Sequence, residues 1–159
     1  MLDPDATDYS SEAYKQHVRE QNEQGVDPKL HAYRFLRAQA YQGIRDGKVI
    51  LWNQPFTNTL LFGKVTERLK EFAAEQDRDL LMLVVEVHVD TELAKKRVAD
   101  RKIAGGHGPS EATFARFVSD YESIADKGYR TVSVTGNDDV NESVEKVMTA
   151  LQNIGFTAR

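Results

Sequence analysis

The segment DLLMLVVEVHV, Asp79 to Val89, is the feature that most limits what this chain can become. A nearly unbroken apolar run of strand length reads as a central strand of a parallel sheet, because such strands are covered on both faces and show little polar alternation. Asp90 and Thr91 then supply a helix cap, and ELAKKRVADRK continues at helical length. The same order recurs elsewhere. KVILWN, Lys48 to Asn53, follows Gly47 as a short buried strand, QPFTNT breaks it, and LLFGKVTERLKEFAAEQ repeats apolar residues at helical spacing. YRTVSVTG predicts a further strand, and a last helix runs from Asn137 or Asp138 to Asn153. Strands alternating with helices of ten or more residues point to an α/β fold with a parallel sheet covered on both faces.

Two helices precede the first of these strands. Ser10 and Ser11 offer an N-cap for EAYKQHVREQNEQ, and Gly25 offers its stop. Asp27-Pro28 opens the second, which places Leu30, Tyr33, Ala40, Tyr41 and Ile44 along one stripe and ends at Gly47. With 159 residues, 40% hydrophobic and 29% charged, and neither repeat nor low-complexity linker, the expectation is one domain over 1–159 with its own core. A formal charge of −4 argues against a standing nucleic-acid or anionic-membrane surface, yet allows a local cationic patch. Zero cysteines exclude disulfides, thiolate catalysis and sulfur-ligated zinc, and fit a reducing compartment. No signal-peptide pattern opens the chain and no window approaches eighteen apolar residues, so a cytoplasmic protein away from membranes is expected.

The chemistry concentrates in RVADRKIAGGHGPSEATFARF, Arg97 to Phe117. Arg97 and Arg101 are spaced i, i+4 and share a helix face, and Arg116 lies beyond a glycine-rich joint. Three glycines and a proline in GGHGP stop the helix, and Ser110 caps its successor, EATFARFVSDYESIADKG. Guanidinium groups converging from a closing helical hairpin suit phosphoryl transfer, in which charge spreads over phosphate oxygens. Read alone, RVADRK is a solvated helix face with its arginines paired to Asp100 or Glu92, and His107 a structural loop histidine.

D-x-x-x-A-x-x-R-x-x-x-R followed by GGH-x-P and a new helix resembles the lid of the zeta-toxin-like small-molecule kinases of the P-loop NTPase superfamily. DPDA, Asp3 to Ala6, is similar to the acidic end of the second strand in those kinases. GKVILWNQPFTN takes the place of their third strand and its loop, VVEVHVDTELAKKR that of the fourth, and YRTVSVTGNDDV that of the fifth. The resemblance implies a three-layer parallel sandwich with a lid at about 97–117, transferring the γ-phosphate of ATP, with Mg2+, to a hydroxyl of a small molecule or nucleotide sugar. It implies that Asp5 accepts the hydroxyl proton, with Arg97 and Arg101 on the transferred phosphate. Asp3, Asn53 and Thr57 would contact the substrate, and Arg116 and His107 the nucleotide phosphates. No residue is assigned as a metal ligand. A toxin–antitoxin setting and an inhibitor protein partner are further implications. The bland alternatives are a frayed acidic terminus for Asp3, Asp5 and Asp8, and an ordinary strand-end turn for QPFTN.

The chain also departs from that family. It contains no G-x-x-x-x-G-K-[ST], the loop whose backbone amides cradle phosphates; Gly47-Lys48 enters a strand and Gly63-Lys64 lies within a helix. The family's first strand, loop and helix are missing from it, and that strand sits between the third and fourth in the family's sheet. The expectation is therefore an incomplete kinase domain, inactive and weak in ATP binding as this chain. The alternatives are a degenerate, non-catalytic binding or regulatory module of the same fold, and a binding module of another α/β type.

Overall fold

In the computed structural model, residues 1–56, 58–137 and 139–156 are described. The fold is mixed α/β and divides into two compact units: Met1–Phe56 with Leu60–Leu80, and Thr57–Thr59 with Leu81–Arg159.

In the N-terminal unit the first helix is capped and stopped as read, whereas the second begins four residues after the expected cap, Asp27. Ser11 accepts from the Tyr14 amide at the start of α1 (Glu12–Glu23), and Gly25 reverses the chain at a φ of 67°. Asp27 caps a single 3₁₀ turn, Pro28–Leu30, which leads into α2 (His31–Arg45). The buried face of α2 differs from the expected stripe. Ala40 and Ile44 belong to it, but Leu30 and Tyr33 are exposed, and His31, Phe35 and Leu36 take their place. The reason is α1, which covers the side of α2 carrying Phe35: the ring meets Tyr14 edge-on at 5.2 Å and His17 at 5.4 Å. A helix covered on two sides buries more than one stripe.

The core of this unit is Leu2, Leu36 and Ala40, with Ile50, Trp52 and Leu69 packed against it. Leu2 pairs in parallel with Trp52: its amide donates to the Leu51 carbonyl at 2.6 Å and its carbonyl accepts from the Asn53 amide at 2.8 Å. KVILWN is thus one parallel bridge and not the buried strand expected, with Val49 and Leu51 exposed. One short neighbour covers neither the whole length nor both faces. α3 (Thr59–Glu75) lies alongside α2, Tyr41 stacking on Phe72 at 4.3 Å. Arg78 donates to the Arg45 carbonyl at 2.9 Å, so the C-terminal ends of α2 and α3 meet and the helices run parallel.

In the C-terminal unit β1 (Val84–His88) and β2 (Thr131–Thr135) form a parallel pair, in register from Val84↔Thr131 to His88↔Thr135. Between them come α4 (Thr91–Ile103) and α5 (Glu111–Ser119), capped by Asp90 and Ser110 as expected. α6 (Val140–Asn153), capped by Asp139, packs on β2. β1 covers only the second half of DLLMLVVEVHV, and Val85 and Val87 are 41% and 59% exposed, whereas Glu86 between them is buried. The apolar run predicted burial on both faces; a two-stranded sheet instead leaves one face of β1 uncovered and turns the other onto Glu86. α5 is likewise shorter than EATFARFVSDYESIADKG, for a reason found at Glu86.

Candidate functional site

Two of the sequence-predicted residues meet at the carboxyl end of the Leu2–Trp52 pair, the end at which α/β sheets hold ligands. The Asn53 side-chain amide donates to Asp3 Oδ2 at 3.0 Å, and the Asp5 backbone amide donates to Asp3 Oδ1 at 2.8 Å. Asn53, followed by the Asp5 amide, holds the Asp3 carboxyl below the usual carboxylate range. The acidic start is tied in place by further bonds, from the Thr7 hydroxyl to the Asp3 carbonyl at 2.6 Å and from the Tyr9 hydroxyl to the Pro4 carbonyl at 2.8 Å. The Asp5 side chain is exposed. Thr57 lies outside the described residues.

The α4–α5 hairpin carries the remaining candidates. Arg97 Nη2 donates to the Gly136 carbonyl at 2.9 Å, which sets its guanidinium at the carboxyl end of β2. The Gly136 amide in turn donates to the His88 carbonyl at 2.7 Å, and a Cβ at Gly136 would come within 2.6 Å of Val89 Cγ2. Only glycine admits that approach. Arg101, one turn after Arg97, is exposed and lies along the turn: a Cβ at Gly106 would meet Arg101 Cγ at 2.8 Å. Gly105 takes a φ of 82°, and Lys102 Nζ donates to the Pro109 carbonyl at 2.6 Å. GGHGP is therefore a tight turn packed on the end of α4. His107 is exposed at its tip, and Arg116 sits over the neighbouring Phe117 ring at 5.7 Å. Among the described residues neither Arg97 nor Arg101 is paired to Asp100 or Glu92, as the solvated-face reading required.

Glu86 is the residue that sequence reasoning missed. Its carboxylate, 7% exposed, accepts from the Tyr121 hydroxyl at 2.5 Å, the Ser123 hydroxyl at 3.0 Å and the Ile124 amide at 3.0 Å, and lies 3.4 Å from His88 Nε2. Burial alone would raise its pKa, but the bonds from Tyr121, Ile124 and Ser123 outweigh burial and hold it below the ordinary value. Burial and the adjacent carboxylate push the Tyr121 hydroxyl up to about 12. These bonds draw the chain off the helical path, which is why α5 ends at Ser119. They also fix the far end of the hairpin to the strand from which it departs, since α4 begins three residues after His88. The signal in the sequence was a lone acid inside an apolar strand, a residue type that is rarely buried without partners.

Among the described residues no group of three or more histidine, cysteine or acidic side chains is placed to hold a metal ion, and no helix is long and apolar enough to cross a membrane. No protein-family model, no curated protein and no solved structure matches the chain.

Proposed function

We propose that the chain is a phosphotransferase-type domain similar to the zeta-toxin-like kinases, with the α4–α5 hairpin as its phosphate-contacting lid. The fold in this reading is the three-layer parallel sandwich of P-loop kinases without its first strand, loop and helix; the parallel pairing within each unit supports it. The observation that carries the reading is Arg97. A helix of the hairpin delivers its guanidinium to the Gly136 carbonyl, at the carboxyl end of a parallel strand pair, where α/β sheets bind ligands. Arg101 follows one turn later on the same helix, and within the N-terminal unit Asn53 holds Asp3, whose carboxylate accepts from the Asp5 amide. Asp5 would accept a hydroxyl proton, and Arg97 and Arg101 would stabilise charge on the transferred phosphate. The acceptor is a small molecule or nucleotide sugar.

Because the sequence carries no Walker loop, calorimetry should find weak or no binding of Mg-ATP. In NMR titrations with Mg-ATP, the Arg97 and Arg101 side chains should respond, and the response should disappear in Arg97→Ala. Tight binding that survives both Arg97→Ala and Arg101→Ala would overturn the reading, as would an unresponsive hairpin. The missing loop favours a second reading, a non-catalytic regulatory module of the same fold. A stable complex with a small helical protein, together with no nucleotide hydrolysis, would select it.

A further inference from the structure

The parallel register of α2 and α3 brings together cations that the function above does not use. The stacked pair Tyr41–Phe72 sets the register, and one turn back on each helix stand Arg37 and Arg68. Arg34 lies a further turn back on α2, where its Nη1 donates to the neutral Gln21 side chain at 3.0 Å. Neither Arg37 nor Arg68 has a hydrogen bond, ion pair or ring contact among the described residues. Glu67 and Glu71 flank Arg68 on α3, and among the described residues neither forms an ion pair with any of the three. Arg37 is half-buried. Burial lowers its pKa, Tyr41 opposes that, and the nearby charges of Arg68 and Arg34 lower it further. On the α1 side of Arg34, His17 Nε2 is buried without a partner. Like charges held together in a chain of net charge −4 leave a local demand for negative charge that the unit's own carboxylates do not meet.

We propose that Arg34, Arg37 and Arg68 form a binding site for a phosphate-bearing ligand, best matched by a diphosphate. Each guanidinium offers five N–H donors in a planar fork suited to paired phosphate oxygens, so three of them exceed what a single carboxylate can accept. The place fits a ligand site. α2 runs back from the carboxyl end of the Leu2–Trp52 pair, so its first two turns, with Arg34 and Arg37, lie towards the end where Asp3 meets Asn53. The site stands on residues of the N-terminal unit and does not depend on the phosphotransferase reading.

The probe is inorganic pyrophosphate, titrated into the full chain and followed by NMR at the arginine side-chain Nε–H groups and the α2 amides. Saturable shifts at Arg34, Arg37 and Arg68 are expected, weakening with added salt. Affinity should fall at least about tenfold in Arg37→Gln and in Arg68→Gln, each of which removes charge-assisted bonds. Arg68 is exposed, so its replacement leaves the fold intact and keeps the test decisive if Arg37→Gln does not fold. Arg130→Gln, an exposed arginine of the other unit with no role in either reading, should leave the affinity unchanged. Three outcomes overturn the proposal: no saturable shift up to millimolar pyrophosphate, shifts confined to the α4–α5 hairpin and abolished by Arg97→Gln, or acetate binding as well as pyrophosphate.

Discussion

Removing the Glu86 carboxylate should release the segment that follows α5, and the structure sets the size of the effect. Glu86→Ala deletes the acceptor of three hydrogen bonds and leaves the buried Ile124 amide without a partner. Bonds to a charged acceptor and an unsatisfied buried donor each contribute on the order of 1–3 kcal/mol, part of which is offset because a carboxylate no longer has to be desolvated, so a net loss of about 3 kcal/mol is expected. Glu86→Gln is a different perturbation. Its remaining oxygen can still accept from Tyr121 and Ile124, both of which bond Oε1, and the cost drops to about 1 kcal/mol for the lost charge. Amide hydrogen exchange at Ile124 reads both. Its protection factor should fall by about two orders of magnitude in Glu86→Ala and by about fivefold in Glu86→Gln.

The pH dependence follows from the same bonds. Because the folded pKa of Glu86 is depressed, its contribution is fully present above the unfolded carboxyl value and is lost as pH falls through the folded one. Protection at Ile124 should therefore be level from neutral pH down to about 5 and decline in stronger acid. The Tyr121 hydroxyl, with its raised pKa, remains a donor throughout that range. Equal losses in the Ala and Gln variants, or protection that does not depend on residue 86, would refute the reasoning, because either result means that the carboxylate does not hold the segment.

Two further predictions concern the ends of the strand pairs. Asn53→Ala should let the Asp3 carboxyl rise towards its ordinary pKa, measured by NMR titration of the side-chain carboxyl; an unchanged value would mean that the Asn53–Asp3 bond does not form in solution. Gly136→Ala forces a methyl group against Val89 Cγ2 and should destabilise the C-terminal unit by about 1–3 kcal/mol in urea unfolding while displacing the Arg97 guanidinium; a variant as stable as the parent would contradict the close approach.

What the sequence made legible is local chemistry. Ser11, Asp90 and Ser110 cap helices where expected, and Gly25 and Gly47 turn the chain at positive φ, because a cap or a turn needs only its own few residues; Asp27, expected to open the second helix, caps only the 3₁₀ turn before it. The errors are all matters of what covers what. KVILWN and DLLMLVVEVHV have the composition of buried strands, but a strand is extended by its neighbours, and one neighbour on one side leaves Val49, Leu51 and Val87 facing out. The buried face of α2 shifted because α1 covers it, which no stripe on α2 alone could reveal.

Glu86 shows the limit most sharply. Its partners lie 35 to 38 residues along the chain, and no local pattern links an acid in one strand to a tyrosine, a serine and an amide beyond a helical hairpin. The hairpin itself was legible as two capped helices around GGHGP. Its anchoring was not, and the anchoring decides how the arginines are presented. With α4 leaving β1 just after His88 and the return segment bonded to Glu86, both feet of the hairpin stand on one strand. The Arg97–Gly136 bond adds a third tie, at the carboxyl end of β2. If the hairpin is the lid proposed above, its opening has to break the Arg97 tie first, since that bond is a single exposed contact whereas the feet are held by a buried carboxylate and by the backbone. In the proposed phosphotransferase reading, the solvent-facing Arg97 guanidinium at the weakest of the three ties is then the group that exchanges a carbonyl partner for a phosphate.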